Sequence, residues 1–185
     1  MKITIVYESM FGNTHEVAKA ISEGAREAHA DADVECVPVA EASPELIKGT
    51  DLLVVGGPTH MRGMTSGFSR KIGVSGEEKL EAQGEPAHEI EEDAEGPGIR
   101  EWFDGLPKVQ DGGRAAAFDT RLPSGLAGGA ARGIARRLRR HDYHLVSDPE
   151  GFIVDHSYGP LRTGEVERAK QWGAQLVSQT VRSLG

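Results

Sequence analysis

Short apolar runs alternate with helix-like stretches along this chain of 185 residues, and this alternation limits the possible folds more than any other feature. A strand–helix–strand alternation is typical of βα units, which assemble into a parallel sheet with helices on both faces. We therefore predict a doubly wound α/β fold. The predicted strands cover residues 3–7, 34–39, 52–55 and 115–118, with an interrupted fifth strand at 145–146 and 152–154.

Two of these strands indicate the order of the sheet. Pro38 cannot donate to a ladder of hydrogen bonds, so the second strand is predicted at an edge. The third strand is apolar on both faces, which is typical of a central parallel strand. Both features fit the order 2-1-3-4-5. In that order ligands bind outside the carboxyl ends of strands one and three, so loops 8–14 and 56–66 are the first candidates for a site, followed by the loop after strand four.

The negative charge of the chain is concentrated in one segment. Residues 77–95 hold nine acidic residues and Lys79, a local charge equal to the net charge of −8. We expect an acidic insertion at about 67–98, where the strand and helix pattern lapses, within a single domain that spans 1–185. An acidic chain does not favour nucleic acid as a partner, because such binding depends on neutralising phosphates.

The sequence also contains signals about location and redox chemistry. No apolar run approaches the ~20 residues of a membrane span, and the first residues lack the pattern of a signal peptide. These observations predict a cytoplasmic protein with no membrane span. Cys36 is the single cysteine, so it cannot form an internal disulfide, and its position in a strand predicts a buried, inert thiol.

The loop after the first strand has the chemistry of an anion site. It leads into a predicted helix, whose first N–H groups and dipole attract negative charge. Ser9, Asn13 and Thr14 add polar donors, and Gly12 lets the backbone approach a ligand closely. The loop lacks lysine and arginine, which favours a phosphate monoester over a nucleoside triphosphate with its metal. The alternative is that Asn13 or Thr14 only caps the helix.

The run YESMFGNT at 7–14 resembles the phosphate loop of flavodoxins and related flavoproteins. GGPTH at 56–60 resembles the second loop of that family, which contacts the isoalloxazine ring. The residues at 159–169 are similar to the endings of stand-alone flavodoxin-domain proteins from high-GC bacteria. The resemblance implies a flavodoxin-like five-stranded sheet and non-covalently bound FMN as the cofactor.

The resemblance also implies a set of cofactor-binding residues. The phosphate would be held by the first loop, and the ring would be contacted by the second loop on one side and by the third loop on its other side or pyrimidine edge. These residues are Ser9, Met10, Phe11, Gly12, Asn13 and Thr14; Pro58, Thr59, His60 and Met61; and Asp119, Thr120 and Arg121.

Two features of this set affect the expected redox properties. The second and third loops lack the aromatic residues that sandwich the ring in well-studied flavodoxins, which predicts weaker flavin binding. Arg121 would favour the reduced anionic flavin if it lies near the ring. The alternative is that Arg121 points away into solvent or pairs with Asp119. No catalytic base or metal site is predicted from the sequence.

The predicted function is FMN-dependent electron transfer to a redox partner protein or a small quinone-like acceptor, as a carrier rather than a self-sufficient oxidoreductase. Two alternatives stay open. One is an NAD(P)H-dependent quinone or flavin reductase on the same fold, and the other is a flavin-free binding module that meets its partner through the acidic segment. A fold alone cannot decide among these classes, and the sequence leaves the oligomeric state open.

Overall fold

The computed structural model describes residues 1–60, 63–64, 97–109, 112–123 and 129–184. The acidic segment at 77–95 lies outside these residues. The strands are β1 (Lys2–Tyr7), β2 (Asp33–Pro38), β3 (Leu52–His60), β4 (Gly63–Met64), β5 (Arg114–Arg121), β6 (His144–Leu145) and β7 (Glu150–Ile153). The helices are α1 (Asn13–Ala28), α2 (Pro44–Ile47), α3 (Ile99–Gly105), α4 (Ala130–Arg140) and α5 (Glu165–Leu184).

The main sheet is parallel and has the order β2-β1-β3-β5-β6, with β7 also paired to β5. The strands β6 and β7 pair with the first and second half of β5, so together they form the interrupted fifth strand. This arrangement confirms the predicted order 2-1-3-4-5. It also confirms the edge position of β2, the strand that ends at Pro38. The short β4 pairs antiparallel with the end of β3.

Helices cover both faces of the sheet. On one face α1 and α5 enclose a core that includes Ile5 and Trp172, and on the other face α3 and α4 enclose a core that includes Leu53 and Phe103. This division buries both sides of β1 and β3 and leaves only their ends accessible. The carboxyl ends of these two strands are therefore where a ligand can meet the chain.

The helices α1 and α5 approach each other closely at two glycines. A Cβ on Gly24 would overlap the backbone carbonyl of Lys170, and a Cβ on Gly173 would overlap that of Ile21. The absence of side chains at these positions sets the distance between the two helices. Because α1 begins at the first loop, this contact also fixes the position of that loop.

Two predicted loop segments are strand instead. The third strand was expected to end at Val55, but β3 continues to His60, and β5 continues past Phe118 to Arg121. The parallel pairing of Gly57 with Asp119 extends both strands. Gly56 lies in this extension, opposite Phe118. A Cβ on Gly56 would overlap the Phe118 ring. The glycines were interpreted as the start of a loop, whereas Gly56 serves side-chain packing.

Cys36 lies half-buried in β2, which corrects the expectation of a buried thiol. Burial is the main cause that raises the pKa of the Cys36 thiol to about 11, so the thiol stays protonated at neutral pH. Among the helices of the described residues, none combines the length and the apolar character that a membrane crossing requires.

Candidate functional site

The first loop turns the chain from β1 into α1 at Gly12. This glycine has a φ of 82°, in the left-handed region, and it is the residue that precedes the first turn of α1. Within the described part of the chain no side chain caps this helix, so the alternative that Asn13 or Thr14 caps it is wrong. A side chain on Gly12 would meet no other atom within 4 Å, so glycine is required by the backbone conformation and not by crowding.

Ser9 contributes a hydroxyl that is not used within the described part of the chain. The residue is 6% exposed, and its Oγ is buried without a hydrogen-bond partner among those residues. Leaving a buried hydroxyl unpaired costs about 1–3 kcal/mol. A buried donor beside an uncapped helix N-terminus is the arrangement expected of a site that pairs with an anionic ligand.

Thr14 and Thr120 connect the first loop with the end of β5. Their Oγ1 atoms lie 2.8 Å apart, and both residues are buried. Each hydroxyl carries one hydrogen, and the contact between them uses one of the two. The pair therefore retains one hydrogen for a further acceptor. Thr120, predicted at the ring, lies here beside the predicted phosphate loop.

Asn13 connects the same loop to a segment near the end of the chain. Its Nδ2 donates to the backbone oxygen of Tyr158 at 3.0 Å and to that of Phe11 at 3.4 Å. The rings of Phe11 and Tyr158 form an edge-to-face pair with centroids 4.9 Å apart. The structure thus places an aromatic pair at the first loop, whereas aromatic residues were sought in the second and third loops.

Thr59 and Asp119 lie on neighbouring strands and together cap α4. Asp119 Oδ2 accepts from Thr59 Oγ1 at 3.0 Å and from the backbone N–H of Ala131 at 2.9 Å. Thr59 Oγ1 accepts in turn from the N–H of Ala130 at 2.9 Å. Both side chains thus satisfy N–H groups of the first turn of α4, which need partners outside the helix. Asp119 is 0% exposed, so it acts as a buried helix cap.

Arg121 pairs with Asp119, which was the alternative to a place beside the ring. The Arg121 Nε lies 3.6 Å from Asp119 Oδ1. The guanidinium also lies against Gly129 and Gly151, where an added Cβ would overlap it. Arg121 thus offsets the charge of a buried carboxylate. A contact of Arg121 with flavin stays a prediction.

Asp119 predicts a pH dependence of stability with a defined sign. Burial raises its pKa above the usual 3.8, although the Ala131 N–H, Arg121 and Thr59 oppose this shift. A raised pKa means that the folded state binds the proton more tightly than the unfolded chain. The resulting stabilisation is complete below the unfolded pKa and is lost as the pH rises through the raised pKa.

The variant Asp119→Asn removes this titration. Since burial raises the pKa of Asp119 above 3.8, we expect the free energy of unfolding of the wild type, minus that of the variant, to fall as the pH rises above that value. Urea unfolding at a series of pH values measures this difference. A difference that stays constant or rises with pH would contradict the assignment.

Glu8 was not predicted as a site residue, although it precedes the first loop. It is buried, and its Oε2 accepts from the backbone N–H of Ile99 at 3.0 Å, at the start of α3. The position of this glutamate directly after a buried strand is visible in the sequence. Its partner could not be predicted, because Ile99 is 91 residues away. Glu8 therefore ties the first loop to the start of α3.

The structure describes the remaining predicted residues in different detail. Met10 is buried, and Pro58 lies in β3 opposite Thr120. His60 is described only as a backbone position at the end of β3, and Met61 lies outside the described residues. The structure therefore brings the first loop, Thr120 and a missed residue, Tyr158, to one end of the sheet.

The comparisons with known proteins agree with this fold. A protein-family model described as Flavodoxin matches residues 5–96. Among solved structures, a flavodoxin from the domain Archaea is 20% identical with a TM-score of 0.63 and coverage of 98% of this chain and 99% of that one. Oxidised flavodoxin 1 from Bacillus cereus is 17% identical with a TM-score of 0.65 and coverage of 96% and 98%.

A short-chain flavodoxin associated with a non-canonical PDU bacterial microcompartment is 11% identical, with a TM-score of 0.65 and coverage of 100% of this chain and 99% of that one. At such identities the structural likeness establishes the fold. A comparison with curated proteins gives no significant match.

The sheet order and the helices on both faces define a flavodoxin-like α/β protein. With the match of the family model, the chain belongs to the flavodoxin family.

Proposed function

We propose that this protein binds FMN and carries electrons between a reductase and a protein or small quinone-like acceptor. The observation that carries the proposal is the buried Ser9 hydroxyl, which lacks a partner among the described residues beside the uncapped N-terminus of α1. Family membership supports a flavin-binding electron-transfer role, and the phosphate of FMN is the anion that fits this set of neutral donors.

The first loop is the proposed phosphate site. Ser9 Oγ and the free hydrogen of the Thr14–Thr120 pair would donate to phosphate oxygens. Gly12, in the left-handed conformation, directly precedes the N–H groups at the start of α1, which would also donate to the phosphate. Hydrogen bonds to a charged group contribute more than those between neutral groups, so a few neutral donors suffice for a phosphate monoester.

The second and third loops form the proposed ring site. Pro58, Thr59, His60 and Met61 would lie on one side. Hydrogen bonds connect Thr59 with Asp119 and Asp119 with the start of α4, which keeps the carboxyl ends of β3 and β5 rigid. The flavin, when bound, supplies the redox chemistry, while the chain binds it, orients it and excludes water. In this proposal none of the described side chains transfers a proton.

Electron-transfer assays separate the carrier from its alternatives. We expect the FMN-loaded protein to oxidise NADPH only when a flavodoxin reductase is added, and then to reduce cytochrome c or a quinone. Oxidation of NADPH without the reductase would indicate an NAD(P)H-dependent enzyme. A protein that takes up no flavin would instead be a flavin-free binding module.

A further inference from the structure

We propose that Tyr158 belongs to the FMN site and that Asn13 is a positioning residue that holds Tyr158 in place. In this assignment the rings of Tyr158 and Phe11 cover the phosphate loop from the solvent side. The inference rests on the proposed function, since it concerns how the same site binds FMN.

The segment that holds Tyr158 is a short loop closed at its base. Val154 and Leu161 form an antiparallel bridge, and the N–H of Asp155 donates to the oxygen of Pro160 at 3.0 Å. The side chains of Asp155 and Arg162 also pair at 3.0 Å. These contacts turn the chain back on itself between β7 and α5, so Tyr158 lies at the tip of a defined loop.

The tip of this loop rests on the start of α1. Gly159 lies so close to Asn13 that an added Cβ would overlap the side-chain amide, and its φ of 104° also favours glycine. The Tyr158 ring meets the Phe11 ring edge to face. Backbone and side-chain contacts therefore both attach this loop to the phosphate loop.

The hydrogen bonds of the Asn13 side chain indicate that it positions the loop that carries Tyr158. Both partners of its amide are backbone carbonyls, those of Phe11 and Tyr158. Only the nitrogen of the amide can donate to a carbonyl, so its orientation is determined by its partners. The two hydrogens of Nδ2 are then both used within the chain. The side chain of Asn13 therefore has no further hydrogen to offer a phosphate.

The exposure of Tyr158 is consistent with a cover. The residue is 43% exposed, one of four large apolar or aromatic residues with such exposure among the described ones. An aromatic ring beside a phosphate loop displaces water from it. Charge-assisted hydrogen bonds are stronger where water is excluded, so this cover strengthens the bonds from Ser9 and the backbone to the phosphate.

The test is a titration of the apo-protein with FMN and with riboflavin, which lacks the phosphate. Tyr158→Ala should weaken FMN binding about five- to tenfold, which is what the loss of an edge-to-face pair and its cover predicts, and riboflavin binding less than about twofold. Tyr158→Phe, which keeps the ring, should bind FMN as the wild type does. Val181→Ala is the matched control, an exposed apolar residue in α5.

Asn13 supplies the second arm. Asn13→Ala should weaken FMN binding as much as Tyr158→Ala does, and the double variant should lose no more than either single variant, because both act through one loop. Losses that multiply would show an independent phosphate contact by Asn13 and would overturn its positioning role. Unchanged FMN affinity in Tyr158→Ala would overturn the inference while the proposed function stands. A wild type that binds no FMN would overturn both.

Discussion

Replacing Ser9 by alanine is expected to weaken FMN binding about 10- to 100-fold. The Ser9 Oγ is buried without a partner among the described residues, so a phosphate oxygen would be its acceptor. A hydrogen bond to a charged group contributes about 1.5–3 kcal/mol, and about 1.4 kcal/mol corresponds to a tenfold change in affinity. Calorimetry on the apo-protein measures the change.

Riboflavin and a second serine provide the controls for this variant. Riboflavin has no phosphate, so its affinity should be almost the same for Ser9→Ala and the wild type. Ser178→Ala removes an exposed hydroxyl that donates within α5 to the backbone oxygen of Ala174, and should leave FMN binding unchanged. Equal losses of FMN and riboflavin affinity in Ser9→Ala would place the phosphate elsewhere.

Replacing Gly24 by alanine is expected to destabilise the protein by about 3 kcal/mol. The added Cβ would overlap the backbone carbonyl of Lys170, and a backbone cannot move aside as a flexible side chain can. Overpacking of this kind costs about 1–3 kcal/mol, occasionally more. For a domain of this size the melting temperature should fall by roughly 6–12 °C, as measured by circular dichroism.

Gly105→Ala is the matched control, because it also adds one methyl group to a helical glycine. A Cβ at Gly105, the last residue of α3, would meet no atom within 4 Å. Its melting temperature should stay the same or rise slightly, since alanine is the better helix former. If Gly24→Ala were as stable as Gly105→Ala, the close contact of α1 with α5 would be contradicted.

The fold could be predicted from the sequence because its main signals are local. The apolar run before Ser9 and the change to helical spacing after Gly12 define β1 and α1, and Pro38 predicts an edge strand. The ends of β3 and β5 could not be predicted in this way. Their extension depends on the pairing of Gly57 with Asp119, a contact between residues that are distant in the sequence.

The candidate site could be predicted only in part for the same reason. A local motif identified the first loop and its donors. The roles of Asp119 and Thr59 as caps of α4 depend on where that helix begins in space. The contact of Tyr158 with Asn13 joins residues 145 positions apart, and no local motif marks Tyr158 as part of the proposed site.

An equilibrium titration of the apo-protein tests most directly whether the first loop binds the phosphate of FMN. FMN is added while flavin fluorescence and the visible absorption spectrum are recorded, and the titration is repeated with riboflavin. We predict saturation at one FMN per chain, with quenched fluorescence and an affinity at least about tenfold higher than that for riboflavin. No uptake of FMN, or equal affinity for FMN and riboflavin, would contradict the assignment of the first loop as the site for the FMN phosphate.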